Sequence, residues 1–280
     1  MSGGDQDIRR AALHALVEQL QLERLEHNLF RGSSSDLGAP AVFGGQVLGQ
    51  ALMAAARTVD GQAAHSLHGY FLRAGDKSAP IVYEVDRIRD GKSFATRRVV
   101  AIQHGETIFH MSASFHRREE GVAHQREIPE IPPLEQFGVR PRAMLPALEQ
   151  PIEFRYADLR DPRSAGPRPP RCQTWLRAVD TLPDDPVLHQ ALLAYASDYS
   201  LLGVAMMPHG LSFQQPGVQG VSLDHAMWFH RDFRCDEWLY YDTDSPSSAH
   251  ARGFCRGSVF SRDGRLVASV MQEGLIRVRR

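Results

Sequence analysis

Residues 221–233 read Val-Ser-Leu-Asp-His-Ala-Met-Trp-Phe-His-Arg-Asp-Phe. Alternation at a period of two residues predicts a β-strand, in which successive side chains point to opposite faces of a sheet. The first face is mostly apolar and should pack against a core: Val221, Leu223, His225, Met227 and Phe229. The second face either meets water or lines a site: Ser222, Asp224, Ala226, Trp228 and His230. We predict a strand in the middle of a sheet.

The same order of elements occurs twice along the chain. Predicted helices begin near Gln46 and Val187, about 140 residues apart, which is half of the chain. Strand patterns follow each helix, at 65–72, 81–89, 94–103 and 107–115, and again at 221–230, 237–242, 251–260 and 266–278. We infer an internal duplication of a unit with one long helix on an antiparallel sheet. Because each unit would leave an exposed edge strand, we expect the two sheets to pair side by side.

The two predicted helices differ in composition. The first, at 46–59, contains small residues such as Gly49 and Ala54, so its backbone can lie close to a neighbour, as in a helix wrapped by a curved sheet. The second has Asp185 as its N-cap and Pro186 at the first helical position, and should run to about Leu202. Asp198 lies near its end, beside the apolar stripe.

Between the two units the composition changes. Ten of the 17 prolines fall within 117–171, which predicts a largely irregular connection, with a possible edge strand at 151–159. A single short strand is expected at 25–31. We therefore predict an N-terminal repeat at 1–125, a proline-rich connection at 126–170 and a C-terminal repeat at 171–280.

The overall composition excludes several classes of partner. Lys and Arg total 32 against 33 for Asp and Glu, so there is no basic field for nucleic acid. Neither a signal peptide nor a membrane-spanning run is evident. The three cysteines are scattered and are expected to be reduced. We predict a cytoplasmic protein without nucleic-acid or membrane partners.

Three polar residues distinguish the second unit: Asp198 on its helix, and Ser222 and Gln272 on its strands. Ala113 takes the position of Gln272 in the first unit, and no carboxylate occurs within 46–59. If the three converge where helix meets sheet, they suit activation of a water molecule, with the carboxylate as base. Taken singly, each also fits an ordinary structural role.

Other candidate sites are weaker. The thirteen histidines lack metal-ligand spacing, and Gly44-Gly45 is too short for a dinucleotide fingerprint, so we predict no metal and no cofactor. A Gly-x-Ser-x-Gly nucleophile motif is absent from the sequence. Five arginines are possible phosphate contacts, but each is interpreted as a solvated surface residue: Arg73, Arg97, Arg98, Arg252 and Arg256.

Five stretches resemble the signatures of the acyl-CoA thioesterase II family, in the same order and at compatible spacing: 43–46 (Phe-Gly-Gly-Gln), 89–94 (Arg-Asp-Gly-Lys-Ser-Phe), 195–198 (Tyr-Ala-Ser-Asp), 224–230 (Asp-His-Ala-Met-Trp-Phe-His) and 272–274 (Gln-Glu-Gly). The resemblance covers about 25–274. It implies an α+β double hotdog that hydrolyses fatty acyl-CoA thioesters. It also implies a water held by Asp198, Ser222 and Gln272, with Ser where some relatives have Thr, and a homo-oligomer, a dimer or tetramer.

Two other functions stay open from the residues. A hydratase or dehydratase acting on acyl-CoA would need a paired Asp and His, for which only Asp224 and His225 are adjacent, and neighbours on a strand face opposite sides. The second alternative is an acyl-CoA binding module or regulator that has kept the fold and lost the catalytic activity. Measurable binding without thiol release would favour that module.

Overall fold

A computed structural model describes residues 3–126, 130–139, 151–161 and 166–279. The helices are α1 (Gly3–Leu20), α2 (Gly44–Ala56), α3 (Pro186–Asp198) and α4 (Gly203–Met206). The strands of the first half are β1 (Glu23–Glu26), β2 (Leu29–Gly32), β3 (Ala63–Phe71), β4 (Ile81–Asp90), β5 (Phe94–Gln103) and β6 (Glu106–His116). Those of the second half are β7 (Ile152–Tyr156), β8 (Arg171–Ala178), β9 (Val218–Ser222), β10 (Asp224–Phe229), β11 (Leu239–Ala249), β12 (Arg252–Ser261) and β13 (Leu266–Val278).

All these strands form one antiparallel sheet that repeats the same order on both sides of its centre. The order is β1-β2-β4-β5-β6-β3-β10-β13-β12-β11-β8-β7, and β9 pairs with the far end of β13. The two halves meet at β3 and β10, where Asp224 lies opposite Tyr70 and Trp228 opposite Ser66. The predicted side-by-side pairing of two sheets is therefore confirmed. The predicted edge strand is β7, which ends the sheet.

The helices α2 and α3 pack against each other inside this sheet, and the main core fills the space between them and its inner face. A Cβ at Gly45 would lie 2.4 Å from the carbonyl oxygen of Tyr195, and one at Gly49 would lie 3.0 Å from that of Ala191. We expected the small residues of the first helix to let a curved sheet lie close to its backbone. At Gly45 and Gly49 the backbone that lies close is instead that of α3.

Some boundaries differ from the predictions. The strand expected at 25–31 is the hairpin β1-β2. The second helix ends at Asp198 rather than near Leu202, because Tyr199 turns to an extended conformation (φ −66°, ψ 123°) and Ser200 has a φ of +64°. This turn lets Leu202 pack over Gly274, where a Cβ would lie 2.3 Å from the leucine side chain.

The strand expected at 221–230 is divided at Leu223 into β9 and β10, and β10 ends at Phe229. Leu223 donates its N–H to the carbonyl oxygen of Glu273 and accepts the N–H of Phe71. The division shifts the alternation of side chains by one residue. Ser222 and His225, which we predicted on opposite faces, therefore lie on the same inner side of the sheet.

The irregular connection covers part of the outer face of the second half. Residues 131–137 pack on a separate aromatic cluster: Phe137, Trp175, Trp238, Tyr240 and Phe260. Residues 127–129, 140–150 and 162–165, which belong to the predicted connection, lie outside the described residues. Among the helices that the structure describes, none has the length and hydropathy needed to cross a membrane.

Candidate active site

The three polar residues singled out in the second half meet at one point. Asp198 is the last residue of α3, Ser222 is the last residue of β9, and Gln272 lies in β13. The Nε2 of Gln272 donates to Oδ1 of Asp198 at 2.5 Å and to Oγ of Ser222 at 3.0 Å. The Ser222 hydroxyl lies 3.5 Å from the same carboxylate oxygen and donates to it. Side chains from β9 and β13 thus contact one carboxylate oxygen at the end of α3.

The irregularity at Leu223 explains why Ser222 reaches this point. An uninterrupted strand would place Ser222 and Asp224 on one face. Instead Ser222 turns inward, while Asp224 stays on the other side and accepts the backbone N–H of Glu273 at 2.6 Å. Asp224 therefore ties β10 to β13 and lies apart from the three polar residues.

The N-terminus of α2 completes the surroundings of Asp198. The backbone N–H of Gly45 faces the Asp198 carboxylate and lowers its pKa. A Cβ at Gly44 would lie 2.8 Å from Oδ2 of Asp198 and 3.0 Å from the ring of Phe71, so the backbone passes close to the carboxylate. Because the N-terminal end of a helix carries partial positive charge, α2 stabilises a negative charge here.

Two opposing influences set the protonation of Asp198. Burial raises the pKa of this carboxyl, while the hydrogen bonds from Gln272, the Gly45 N–H and Ser222 lower it, and the net direction is upward. A raised pKa makes the ionised carboxylate a stronger base than an exposed aspartate. The arrangement is therefore suited to accepting a proton.

The amide oxygen of Gln272 is a further acceptor at the site. The Oε1 of Gln272 is buried and has no hydrogen-bond partner among the described residues. A buried amide oxygen without a partner is costly, and such atoms often mark the place of an ordered water or ligand. This oxygen belongs to the side chain whose nitrogen holds Asp198.

His225, which the sequence analysis did not place in the site, lies directly beside it. Its Nδ1 is 3.7 Å from Oδ1 of Asp198, and its Nε2 is 3.0 Å from Oγ of Ser197. Burial lowers the pKa of this imidazole to about 3, so it is neutral and the contact is not an ion pair. The sequence drew attention to His225 only as the neighbour of Asp224 in a hydratase pair, whereas the structure places it beside Asp198.

Aromatic side chains form an apolar wall next to the polar residues. The rings of Phe43 and Tyr195 meet edge to face at 5.2 Å, and those of Phe71 and Phe109 lie 5.0 Å apart. Phe43 precedes α2, and Phe71 ends β3. The site therefore combines a polar centre with apolar surroundings from both halves of the chain.

The five arginines divide into two groups. Four have exposed side chains that form ion pairs, as expected of surface residues: Arg73, Arg98, Arg252 and Arg256. The interpretation of Arg97 as a solvated residue was wrong, because its side chain is only 1% exposed. Within the described ranges, no group of three or more His, Cys, Asp or Glu side chains is arranged to hold a metal ion.

Known proteins and family models match nearly the whole chain. A family model described as acyl-CoA thioesterase matches residues 148–275, and one described as the acyl-CoA thioesterase N-terminal domain matches 32–116. Acyl-CoA thioesterase 2 of Haemophilus influenzae is 38% identical over 95% of this chain and 98% of its own.

Solved structures give the same result. The acyl-CoA thioesterase II TesB2 of Mycobacterium marinum has a TM-score of 0.82 and 46% identity, and the match covers 94% of this chain and 98% of that one. A protein with a hot dog fold from Alicyclobacillus acidocaldarius has a TM-score of 0.80 at 20% identity, over 95% and 99% of the two chains, which shows the fold alone. The α+β double hotdog expected from the sequence is confirmed.

Proposed function

The chain belongs to the acyl-CoA thioesterase family, and from that premise we propose that it hydrolyses fatty acyl-CoA thioesters by direct attack of a water molecule at Asp198, Ser222 and Gln272. Its activity as a thioester hydrolase of acyl-CoA follows from the relatives that match almost its full length. The assignment of the residues rests on one observation. The carboxylate of Asp198 is buried and receives the 2.5 Å hydrogen bond from Gln272.

In the first step Asp198 acts as general base. The water oxygen attacks the thioester carbonyl carbon while one of its protons passes to the carboxylate, and the carbonyl becomes an oxyanion. Ser222 and the free Oε1 of Gln272 supply hydrogen-bonding atoms that orient the water beside the base. General-base assistance of this kind contributes about 10² to 10⁴ in rate.

In the second step the carbon–sulfur bond breaks. The oxyanion collapses to the carboxylic acid, coenzyme A leaves as a thiolate, and the proton held by Asp198 returns to the thiolate or to solvent. The positive end of α2 lies next to Asp198 through Gly45 and favours the negative charge of the oxyanion. No acyl-enzyme forms in this scheme.

Further parts of the proposal concern the setting of the enzyme. We place it in the cytoplasm, since its three cysteines are thiols, as expected in a reducing compartment. We also propose a homo-oligomer, a dimer or tetramer, and repeats at 1–125 and 171–280 joined by 126–170. That the reaction needs no cofactor stays a prediction.

Thiol release from a series of saturated acyl-CoAs tests the site. We expect Asp198→Asn, a near-isosteric change, to lower kcat by at least about 10² without unfolding the protein. The matched control is Asp224→Asn, which retains an acceptor for the Glu273 N–H and should stay within about threefold of the wild type.

Each other outcome decides against part of the proposal. If Asp198→Asn is as fast as the wild type, the assignment of the base is wrong. If Asp224→Asn is the slower variant in thiol release, Asp224 rather than Asp198 is the base. If the wild type binds acyl-CoA and releases no thiol, the chain is a binding module or a hydratase that uses Asp224 and His225, and hydration of an enoyl-CoA distinguishes these two.

A further inference from the structure

The two imidazole nitrogens of His225 have different surroundings. His225 is fully buried, and its Nδ1 has no hydrogen-bond partner among the residues that the structure describes. That nitrogen lies 3.7 Å from Oδ1 of Asp198, the oxygen that also receives the Gln272 hydrogen bond. A buried polar atom without a partner is unfavourable unless it acts on a neighbouring group.

The other imidazole nitrogen is fixed by Ser197. The Ser197 hydroxyl has a single proton and three acceptors in reach: the Ala194 carbonyl oxygen and His225 Nε2, each at 3.0 Å, and Met227 Sδ at 3.5 Å. If it donates to Ala194 or to Met227, Nε2 must carry the imidazole proton and donate to Oγ. If it donates to Nε2, the imidazole proton is on Nδ1. The orientation of one hydroxyl therefore selects the tautomer.

The charge of Asp198 decides between these two arrangements. A neutral imidazole with its proton on Nε2 would direct a lone pair at the carboxylate, whereas the other tautomer directs an N–H at it. In a buried site the second arrangement is strongly favoured while Asp198 is ionised. The Ser197 hydroxyl then donates to Nε2 of His225. The backbone carbonyl oxygen of Ser197 accepts a hydrogen bond from the Tyr241 hydroxyl at 3.1 Å.

We infer that His225 is a positioning residue of the reaction, which directs its Nδ1–H at Asp198 and keeps that carboxylate ionised and oriented toward the water. This inference rests on the proposed function of Asp198. The contacts from Ser197 to His225 and from His225 to Asp198 link the end of α3 to β10. The imidazole stays neutral throughout and touches no reacting atom.

The neighbouring titratable groups do not supply the same effect. Tyr241 faces the pair from β11, and burial raises the pKa of its phenol well above its usual value, so it is neutral. Cys255 of β12 lies opposite Gln272, and burial raises the pKa of its thiol to about 11. The groups that lower the pKa of Asp198 are the Gln272 amide, the Gly45 N–H and the Ser222 hydroxyl. His225 Nδ1, at 3.7 Å, is too far for a hydrogen bond and acts on the carboxylate through the dipole of its N–H.

Two substitutions of His225 separate its two nitrogens. The amide of His225→Asn lies near the place of Nδ1 and can still donate to Asp198, whereas the longer amide of His225→Gln reaches the place of Nε2 and can bond only Ser197. We expect His225→Gln to lower kcat about tenfold and to move the acid limb of the kcat profile about one unit to higher pH, because the carboxylate loses a donor. His225→Asn should keep the wild-type limb and several times the kcat of His225→Gln.

KM and the denaturation midpoint of each variant complete the experiment, with Asp198→Asn measured beside them. A purely structural histidine would give two variants that lose stability together and keep the same acid limb, and that result would overturn the inference. The inference also fails if His225→Gln matches the wild type while Asp198→Asn is inactive, because the proposed function then stands without it. If Asp198→Asn is active, the proposed function itself fails.

Discussion

At its end α3 places a carboxylate against the sheet, whereas α2, which also has 13 residues, ends at Ala56. The alternation of buried residues along β6 and β13 aligns Ala113 with Gln272. On the neighbouring strands, Arg97 lies opposite Ala113 and Cys255 opposite Gln272. The layout is therefore repeated and the polar chemistry is not.

The first half fills the corresponding space with one arginine. The buried Arg97 donates from Nε to Oγ1 of Thr58 at 2.7 Å, from Nη2 to the Thr58 carbonyl at 2.9 Å, and from Nη1 to the Arg89 carbonyl at 2.9 Å, and it also pairs with Asp90. These bonds tie the end of α2 to β4 and β5. The comparison teaches that, in a duplicated fold, few side chains separate a reactive centre from a structural one.

The largest effect is expected when the second half is made to resemble the first. Gln272→Ala gives that position the side chain of Ala113 and removes the donor to Asp198. We expect kcat for thiol release to fall by about 10² to 10³, the usual effect of losing one preorganised hydrogen-bond donor at a reacting centre. The mirrored change, Ala113→Gln, should add no turnover, because α2 offers no carboxylate. If Gln272→Ala and Ala113→Gln lowered kcat by the same factor, the two halves would not differ in their part in the reaction, and the comparison would be wrong.

The next effect concerns stability rather than rate. Arg97→Ala removes the hydrogen bonds to Thr58 and leaves a cavity, so we expect the free energy of unfolding to fall by roughly 2 to 4 kcal/mol. The kcat of the remaining folded protein should change by less than about twofold. Denaturant titration and thiol release, measured on the same preparation, check both. A large loss of kcat would show that the buried cluster around Arg97, and not only the N-terminus of α2, takes part in catalysis.

A smaller effect is the dependence of stability on pH. The same alignment of the two halves equates His225 with Leu67. Met227 pairs with Val270 in the second half as Gly69 pairs with Met111 in the first, and His225 and Leu67 each lie two residues earlier on their strands. The pKa of His225 falls from 6.5 to about 3 on folding, so the unfolded chain binds a proton that the folded chain does not. Its contribution to stability is complete above pH 6.5 and is lost as the pH falls from there toward about 3.

This contribution is measured by comparing the wild type with His225→Asn. Between about pH 7.5 and about pH 5 the wild type should lose about 2 kcal/mol more than the variant, because one pKa unit corresponds to about 1.4 kcal/mol. Asp198 acts in the opposite direction, since its pKa is raised on folding, but it is present in both proteins. Parallel pH profiles of the two would show that His225 is not buried as a neutral group.

Regular patterns in the sequence predicted most of the fold. The strands β3 to β6, β12 and β13 follow from alternation, the N-cap Asp185 with Pro186 from capping chemistry, and the pairing of the two sheets from exposed edges. The prediction at 237–242 covers only the start of β11, which continues to Ala249. The break at Leu223 was not predictable, since the alternation runs through it without interruption. The end of α3 at Asp198 was missed for the same reason, because the apolar stripe continues to Leu202.

The candidate site was predictable in part. Asp198, Ser222 and Gln272 were singled out because the first half lacks them, and their catalytic role came from the family resemblance. The structure brings the three together. The role of the α2 N-terminus was missed, since Gly44 and Gly45 matter through tertiary contacts with Asp198 and Tyr195 rather than through any local pattern. Arg97 was misjudged because burial of a long charged side chain depends on partners distant in sequence.

The central claim is that each chain carries a single site, in its second half. Calorimetric titration of the Asp198→Asn variant measures this directly. The ligand is the acyl-CoA that the wild type hydrolyses with the highest kcat/KM, since the variant should bind it and hydrolyse it at least about 10²-fold more slowly. The account predicts one molecule bound per chain, since Arg97 and its partners fill the corresponding space of the first half. Two molecules bound per chain would contradict it.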